Sequence, residues 1–288
     1  MKKINFLFLL FSISLFLSCS INTLVIRQMT PILQNSALAI YEENDLDLAE
    51  KALAADLKLV DGLLKSDPDN EELLLLAAQG YAGYALGFLE DEQPQRAKNL
   101  YLRARDYALK VLRRDIDFSL AQKAGLEQIG KVVQKYGRDK VPALFWAGFA
   151  WSGYINLALD DVQALADLPQ VQLFMRRVEE LQPDFFYGAV YLFWGSLYGM
   201  KPKMLGGDPQ KAAAYFKKNF ELNDRKFLLT YVYAAKFHAA KILDQALFER
   251  YLKLVQETSP EIMPNARLLN QIAKKKAEQL SKMKDELF

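Results

Sequence analysis

The sequence predicts an all-α protein, and three observations support that fold class. Only 14 Gly and 10 Pro occur in 288 residues, which argues against disorder and against a turn-rich β fold. Apolar residues recur with helical spacing through most of the chain, and no alternating run is long enough to require a strand. Because 51% of the residues are hydrophobic, the chain can bury a sizeable core. We therefore expect a single helical domain over residues 19–288.

The N-terminal segment has the layout of a signal peptide. Two lysines precede a charge-free apolar run over residues 4–17, which is too short to span a bilayer. Cys19 is the only cysteine of the chain and follows Ser18 directly after this run. A small residue followed by cysteine resembles a bacterial lipobox. The pattern predicts that residues 1–18 are a lipoprotein signal peptide and that Cys19 is the lipid-anchor residue; ordinary secretion with an incidental cysteine is the alternative.

Acylation of Cys19 would decide where the protein is held and which reactions remain open to it. We expect the mature protein to be held at the periplasmic face of a bacterial membrane. Acylation also leaves the mature chain without a thiol for a nucleophile, a disulfide or a metal site. Without the two lysines of the signal peptide, basic and acidic residues are equal in number, which argues against nucleic acid as a partner.

Helix boundaries can be located at two places. The segment SDPDNEE, residues 66–72, separates two amphipathic stretches, and we expect Asp69 to cap the second with Glu72 completing a capping box. Further on, two glycines are followed by Asp208 and Pro209, the expected N-cap and first helical position of another helix.

Small and aromatic residues recur at the positions of tetratricopeptide (TPR) repeats, helix pairs of about 34 residues. Ala78 and Tyr81 match the first helix of one unit, and its second helix carries matches at Ala97, Tyr101 and Ala104. Small residues at these positions allow helices to approach closely. The pattern predicts an array of antiparallel helix pairs, a TPR-like α-solenoid.

Two further units are less regular. One has Ala212 and Phe216 but Asn219 where alanine is usual, and another has Ala234 and Phe237. The spacing between units is irregular, so we expect a degenerate repeat array.

Four segments resemble the TRAP-transporter-associated T-component lipoproteins, the TatT family: residues 95–112, 204–222, 226–237 and 264–288. Together with the lipobox, the likeness spans nearly the whole mature chain. The resemblance implies a periplasmic, membrane-tethered helical protein that forms a homotrimer and partners the extracytoplasmic solute-binding protein of a TRAP transporter. It also implies a hydrophobic pore or cavity in each protomer and brings no catalytic residues.

Two charge-free segments, 141–159 and 185–200, concentrate the aromatic residues. A helix that is apolar all round must be buried in protein or lipid. Three interpretations remain open: central core packing, a transmembrane helix, and the lining of an apolar cavity or subunit contact. Glycines within both segments indicate close helix contacts or open space, and are found at Gly148, Gly153, Gly195 and Gly199.

The candidate ligand- or pore-lining residues are aromatic side chains near or within these segments: Tyr84, Phe88, Trp146, Phe149, Trp194 and Tyr198. Lone His238 has no partner at metal-ligand spacing and is predicted to be an ordinary helix residue. The basic cluster at residues 274–276 is predicted to be a solvated face or helix-terminal charge. We predict neither a metal nor a cofactor.

No nucleophile elbow, phosphate loop, dinucleotide fingerprint or zinc-helix motif occurs in the sequence. The sequence therefore predicts a non-enzymatic, membrane-anchored lipoprotein that docks the solute-binding subunit of a TRAP-type transporter. It would hold or pass a small apolar or amphipathic solute. The alternatives are a TPR scaffold lipoprotein that binds protein partners in envelope assembly, and an envelope hydrolase, for which no convergent carboxylates were found.

Overall fold

A computed structural model describes residue 23 and residues 25–288, and these residues form helices without any strand. The all-α prediction is confirmed. The α-helices, in chain order, are α1 (25–41), α2 (Leu46–Ser66), α3 (Glu71–Tyr84), α4 (Pro94–Leu112), α5 (Ile116–Ala124), α6 (Leu126–Val133), α7 (Val141–Asn156), α8 (Val162–Ala166), α9 (Leu168–Leu181), α10 (Phe185–Met200), α11 (Pro209–Leu222), α12 (Leu229–Ala234), α13 (Gln245–Glu257), α14 (Arg267–Lys282) and α15 (Lys284–Leu287). The predicted signal peptide and Cys19 lie outside the described residues.

Side-chain caps set several helix starts. Asp208 Oδ1 accepts hydrogen bonds from the backbone N–H groups of Gln210 and Lys211 at 3.0 Å, so the predicted cap of α11 is confirmed. The prediction for α3 was wrong by one residue. Asn70, not Asp69, is the N-cap, and its Oδ1 accepts from the N–H of Leu73 at 3.1 Å. Either side chain suits the position chemically, and the backbone turn decides between them.

Neighbouring helices pack side by side. α4 lies between α3 and α7, α7 also contacts α9, α10 packs on α11, and α13 packs on α14. The repeat-like small and aromatic residues lie at these contacts, since Ala78, Ala97 and Ala104 are fully buried and Tyr101 is 1% exposed. A Cβ on Gly153 of α7 would lie 2.6 Å from the Tyr101 ring, so glycine lets the ring sit against the α7 backbone. The TPR-like solenoid itself remains a prediction.

The aromatic helices α7 and α10 lie in the core. Phe145, Trp146 and Trp151 of α7 and Trp194 of α10 are at most 6% exposed. α10 joins two clusters of buried apolar side chains, one formed mainly with α2–α9 and the other with α11–α14. Core packing therefore accounts for much of the aromatic content of both segments.

One helical stretch among the described residues, Glu71–Leu89, is long and apolar enough to cross a membrane. Its most apolar window is 61% buried within the protein. A buried core helix has the same length and composition, so this stretch is weak evidence for a span. The segment 141–159, the transmembrane alternative from the sequence, forms α7 and ends its helix at Asn156.

Within the described residues, two short π-helical turns directly follow regular helices. One continues α3 over Ala85–Leu89, and the other continues α12 over Ala235–Ala239. A π turn inserts an extra residue into a helix and is frequent at functional sites. Both turns contribute to the cavities described next.

Candidate functional site

One cavity of about 450 Å³ is here called the chamber. Its walls come chiefly from α7, α10, α12 and α14 and are mainly apolar. Representative wall residues are Ile155, Leu192, Phe193, Leu229, Val232 and Phe237. A volume of this size with apolar walls is typical of a site for a small organic molecule.

Apolar side chains on the chamber lining reach the protein surface. Leu159, Leu165, Leu205 and Met283 all line the chamber and are between 40% and 70% exposed. Met204, beside Leu205, is 97% exposed. We call these five residues the rim. Exposed apolar residues grouped around a cavity are typical of a surface that meets another molecule.

Part of the chamber wall is charged. Lys276 is only 7% exposed, and its Nζ lies 2.6 Å from Glu90 Oε1 and 2.6 Å from Asp91 Oδ2. Tyr101 donates its hydroxyl hydrogen to Glu90 Oε2 at 2.5 Å. Burial acts to lower the pKa of Lys276, but the two carboxylates outweigh it and the pKa is raised. The lysine is therefore held in its charged form.

Two further polar atoms on the chamber lining are buried without a protein partner. Ser196 Oγ and Gln279 Oε1 make no hydrogen bond within the described part of the chain. A buried polar atom without a partner costs about 1–3 kcal/mol. Together with Lys276, they provide polar groups in an otherwise apolar chamber.

A second, much smaller cavity of about 60 Å³, here called the slot, lies among α1, α2, α3 and α7. Leu33, Ala37 and Ile40 of α1 form one of its walls, and Trp146 of α7 and Phe88 of the first π turn form others. The slot is narrow and strongly apolar.

Four residues line both the chamber and the slot: Leu86, Phe149, Phe186 and Leu269. Phe186 also lines a shallow outer cleft, where it lies with Tyr41 and Asp184. It is the one residue described here that belongs to all three cavities. Its ring centroid is 4.7 Å from that of Trp146 and 5.9 Å from that of Tyr41.

The backbone around Phe186 is left-handed. Phe186, Tyr187 and Gly188 have φ angles of 46°, 58° and 64°, so regular right-handed helix begins only after them. This conformation costs about 1–2 kcal/mol for each residue that carries a Cβ. We call these three residues the left-handed turn.

Buried amides hold the left-handed turn. Asn219, which is 0% exposed, donates through Nδ2 to the carbonyl oxygens of Tyr187 and Gly188 at 2.8 Å each. Its Oδ1 accepts from Thr230 Oγ1 at 2.5 Å. Asn223 adds a bond to the Tyr187 carbonyl at 3.0 Å. The departure of Asn219 from the repeat pattern is explained by this role.

The structure brings three of the six candidate lining residues together at the slot: Phe88, Trp146 and Phe149. Phe149 also lines the chamber. Whether any of them contacts a solute remains a prediction.

The other three candidates are not among the lining residues of these cavities. Tyr84 donates its hydroxyl hydrogen to Glu50 Oε1 at 3.1 Å. Trp194 is buried beneath the Arg176 guanidinium, and Tyr198 stacks on Tyr215 with a centroid distance of 5.8 Å.

Sequence reasoning missed Phe186 and misplaced Lys276. Phe186 lies inside a segment already marked as aromatic, but nothing local distinguished it from its neighbours. Lys276 belongs to the basic cluster predicted to be solvated, and this prediction was wrong for that residue, which is 7% exposed and pairs with Glu90 and Asp91. Its position on the same helix face as Ile272 and Leu280 was the available signal.

His238 lies in the second π turn, Ala235–Ala239. No group of three or more His, Cys, Asp or Glu able to hold a metal occurs within residues 23 and 25–288. Burial lowers the pKa of His238, and its Nδ1 is buried without a partner in the described residues.

Comparison with known proteins assigns the family. A search of curated proteins found no match. The family model of the TRAP transporter T-component matches residues 42–288, which covers helices α2–α15 and all but the α1 side of the cavities. This family is an accessory component of transport and not a known enzyme family. The chain therefore belongs to the TRAP transporter T-component family.

Proposed function

We propose that the protein is a non-enzymatic lipoprotein that holds a small apolar or amphipathic solute and passes it to or from the solute-binding subunit of a TRAP transporter. The observation that carries this proposal is the chamber of about 450 Å³ in a member of a transporter family. Its apolar walls favour the hydrophobic part of a solute, since each buried CH₂ contributes about 0.8 kcal/mol. Lys276 and the unpaired polar atoms offer hydrogen bonds to a polar head.

The proposed docking surface for the solute-binding subunit is the rim of the chamber. Met204 and Leu205 are 97% and 70% exposed beside the other apolar residues of the rim, and grouped apolar surface of this kind marks contact sites. A partner docked there would also close the chamber to water, so that a solute could move between the two proteins without full hydration. Docking at the apolar rim would therefore also serve the proposed transfer of the solute.

The proposed anchor is Cys19, acylated at the periplasmic face of a bacterial membrane. Acyl chains would confine the protein near its membrane partners and raise the effective concentration for docking. The protein is proposed to assemble as a homotrimer. Replacing Cys19 with serine should release the protein from the membrane fraction and abolish labelling by radioactive fatty acid. Mass photometry of the released protein would test the trimer.

The docking proposal is tested by site-specific photo-crosslinking. A benzophenone amino acid placed at Met204 should crosslink to the purified solute-binding subunit of the cognate transporter. The matched control is Leu120 on α5, which is 57% exposed and does not line the chamber. Equal crosslinking at both positions would contradict docking at the rim. Crosslinks to envelope-assembly proteins, with no solute-binding subunit recovered, would favour the scaffold alternative.

A further inference from the structure

The chamber and the slot share four lining residues, Leu86, Phe149, Phe186 and Leu269, and we call the passage that would lie between these side chains the opening. All four side chains are apolar, so the opening presents no polar barrier to a hydrocarbon chain. What separates a volume of about 450 Å³ from one of about 60 Å³ is therefore the bulk of these side chains. Phe186 and Phe149 are the largest of the four.

Phe186 lies at the opening with both its backbone turn and its ring in contact with other parts of the fold. Its backbone belongs to the left-handed turn, whose carbonyl groups are bonded to the buried amide of Asn219 and to Asn223. Its ring packs against Trp146 with a centroid distance of 4.7 Å and against Phe145 at 5.8 Å. The turn therefore sets the backbone of Phe186, and the aromatic neighbours pack against its ring.

The slot behind Phe186 could accept the end of a longer apolar chain. Leu33, Ala37 and Ile40 of α1 line its far side, together with Leu57 and Val60 of α2. Such a chain would meet mainly hydrocarbon in the slot, whose lining also includes Tyr41, Asp56 and Gln79. A solute confined to the chamber gains nothing from these walls.

We propose that Phe186 sets the maximum length of the solute by closing the opening between the chamber and the slot. The inference rests on the proposed function in one respect, namely that an amphipathic solute occupies the chamber. Each methylene buried in the chamber tightens binding about fourfold. A methylene that cannot pass Phe186 adds nothing, so affinity should rise with chain length and then level off.

The test uses straight-chain primary alcohols from hexanol to dodecanol, measured by displacement of Nile red. The protein is the chain from residue 19 onward carrying Cys19→Ser, so that no acyl chain or detergent competes for the cavity. The unaltered cavity should show fourfold steps that stop at one chain length. Phe186→Ala should continue those steps to longer alcohols, and Phe186→Leu should shift the limit less.

Phe193→Ala is the matched control. Phe193 also lies on α10 and lines the chamber, but it does not line the slot. Its removal should change affinity at all lengths alike and leave the limiting length in place. If Phe193→Ala and Phe186→Ala shift the limit equally, the role assigned to Phe186 is overturned. Thermal unfolding of each variant establishes that it is folded, and Phe186→Leu carries the test if Phe186→Ala does not fold.

A second readout reports where the chain end lies. Gly83 lines the slot, and a Cβ built on it meets no atom within 4 Å, so Gly83→Cys places a thiol there without a clash. Dodecanol should slow alkylation of this thiol in the Phe186→Ala background and leave it unchanged when Phe186 is present. Protection in both backgrounds would overturn the proposal. Failure of any alcohol or Nile red to bind would overturn the solute-holding function as well, whereas binding with an unmoved limit would overturn the role of Phe186 alone.

Discussion

The buried amide of Asn219 should be among the most stabilising polar groups of the fold. Asn219→Ala removes the two donors that bind the carbonyl oxygens of Tyr187 and Gly188 and the acceptor of the Thr230 hydroxyl. The Tyr187 carbonyl keeps a bond from Asn223 at 3.0 Å. Two buried groups, on Gly188 and Thr230, therefore lose a partner at about 1–3 kcal/mol each. We expect a total loss of about 2–6 kcal/mol.

Asn223→Ala is the matched control for this prediction. Asn223 is only partly buried and donates a second bond to a carbonyl that Asn219 already serves, so its loss should cost about 1 kcal/mol. Urea unfolding followed by helical circular dichroism measures both values. If Asn219→Ala costs no more than Asn223→Ala, the turn is not held by the buried amide and the reasoning is refuted.

The variant Asn219→Asp adds a pH test of the same contacts. A carboxylate cannot donate to the two carbonyl oxygens, and burial beside them would raise its pKa above the unfolded value of about 3.9. The raised pKa means that the destabilisation is full above the folded pKa and decreases as the pH falls toward 3.9. The difference in unfolding free energy from the unaltered chain should therefore be smaller at acid pH. A constant difference across pH would show that the carboxyl is solvated.

Two further predictions concern packing and protonation. Gly199→Ala should destabilise the fold by about 1–3 kcal/mol or more, because the new Cβ would lie 1.7 Å from the Phe237 carbonyl oxygen. Gly62→Ala is the control, since Gly62 lies in open space on α2 and its replacement should stabilise the fold by about 0.5–1 kcal/mol. Thermal unfolding distinguishes the two variants, and a Gly199→Ala variant as stable as the unaltered protein would contradict the close contact. Because burial lowers the pKa of His238, the unfolded chain binds more protons, so stability should fall as the pH drops below about 6.5. His238→Gln should flatten that part of the plot of unfolding free energy against pH. If the plot is unchanged, the loss of stability at low pH comes from other groups.

The regular parts of this fold follow from local sequence, whereas the site depends on contacts that are distant in sequence. Helical periodicity, the Asp208 cap and the small residues at helix contacts are local properties, and the sequence predicted them. The left-handed turn was not predictable in this way, because Phe186 and Tyr187 have no preference for it and Asn219 supplies the stabilising bonds from another helix. Lys276 is similar, since its carboxylate partners precede it by 185 and 186 residues.

Irregular backbone contributes to the walls of both cavities. Regular helices that carry aromatic side chains pack without large voids, as Trp194 and its neighbours do in the core. The cavity walls instead include three irregular segments: the π turn with Leu86 and Phe88, the π turn with Phe237, and the left-handed turn with Phe186. Each departs from the helical spacing that would bring neighbouring side chains into close contact. Their presence in the walls of the chamber and slot favours a functional role for the open space, because irregular turns of this kind cost stability.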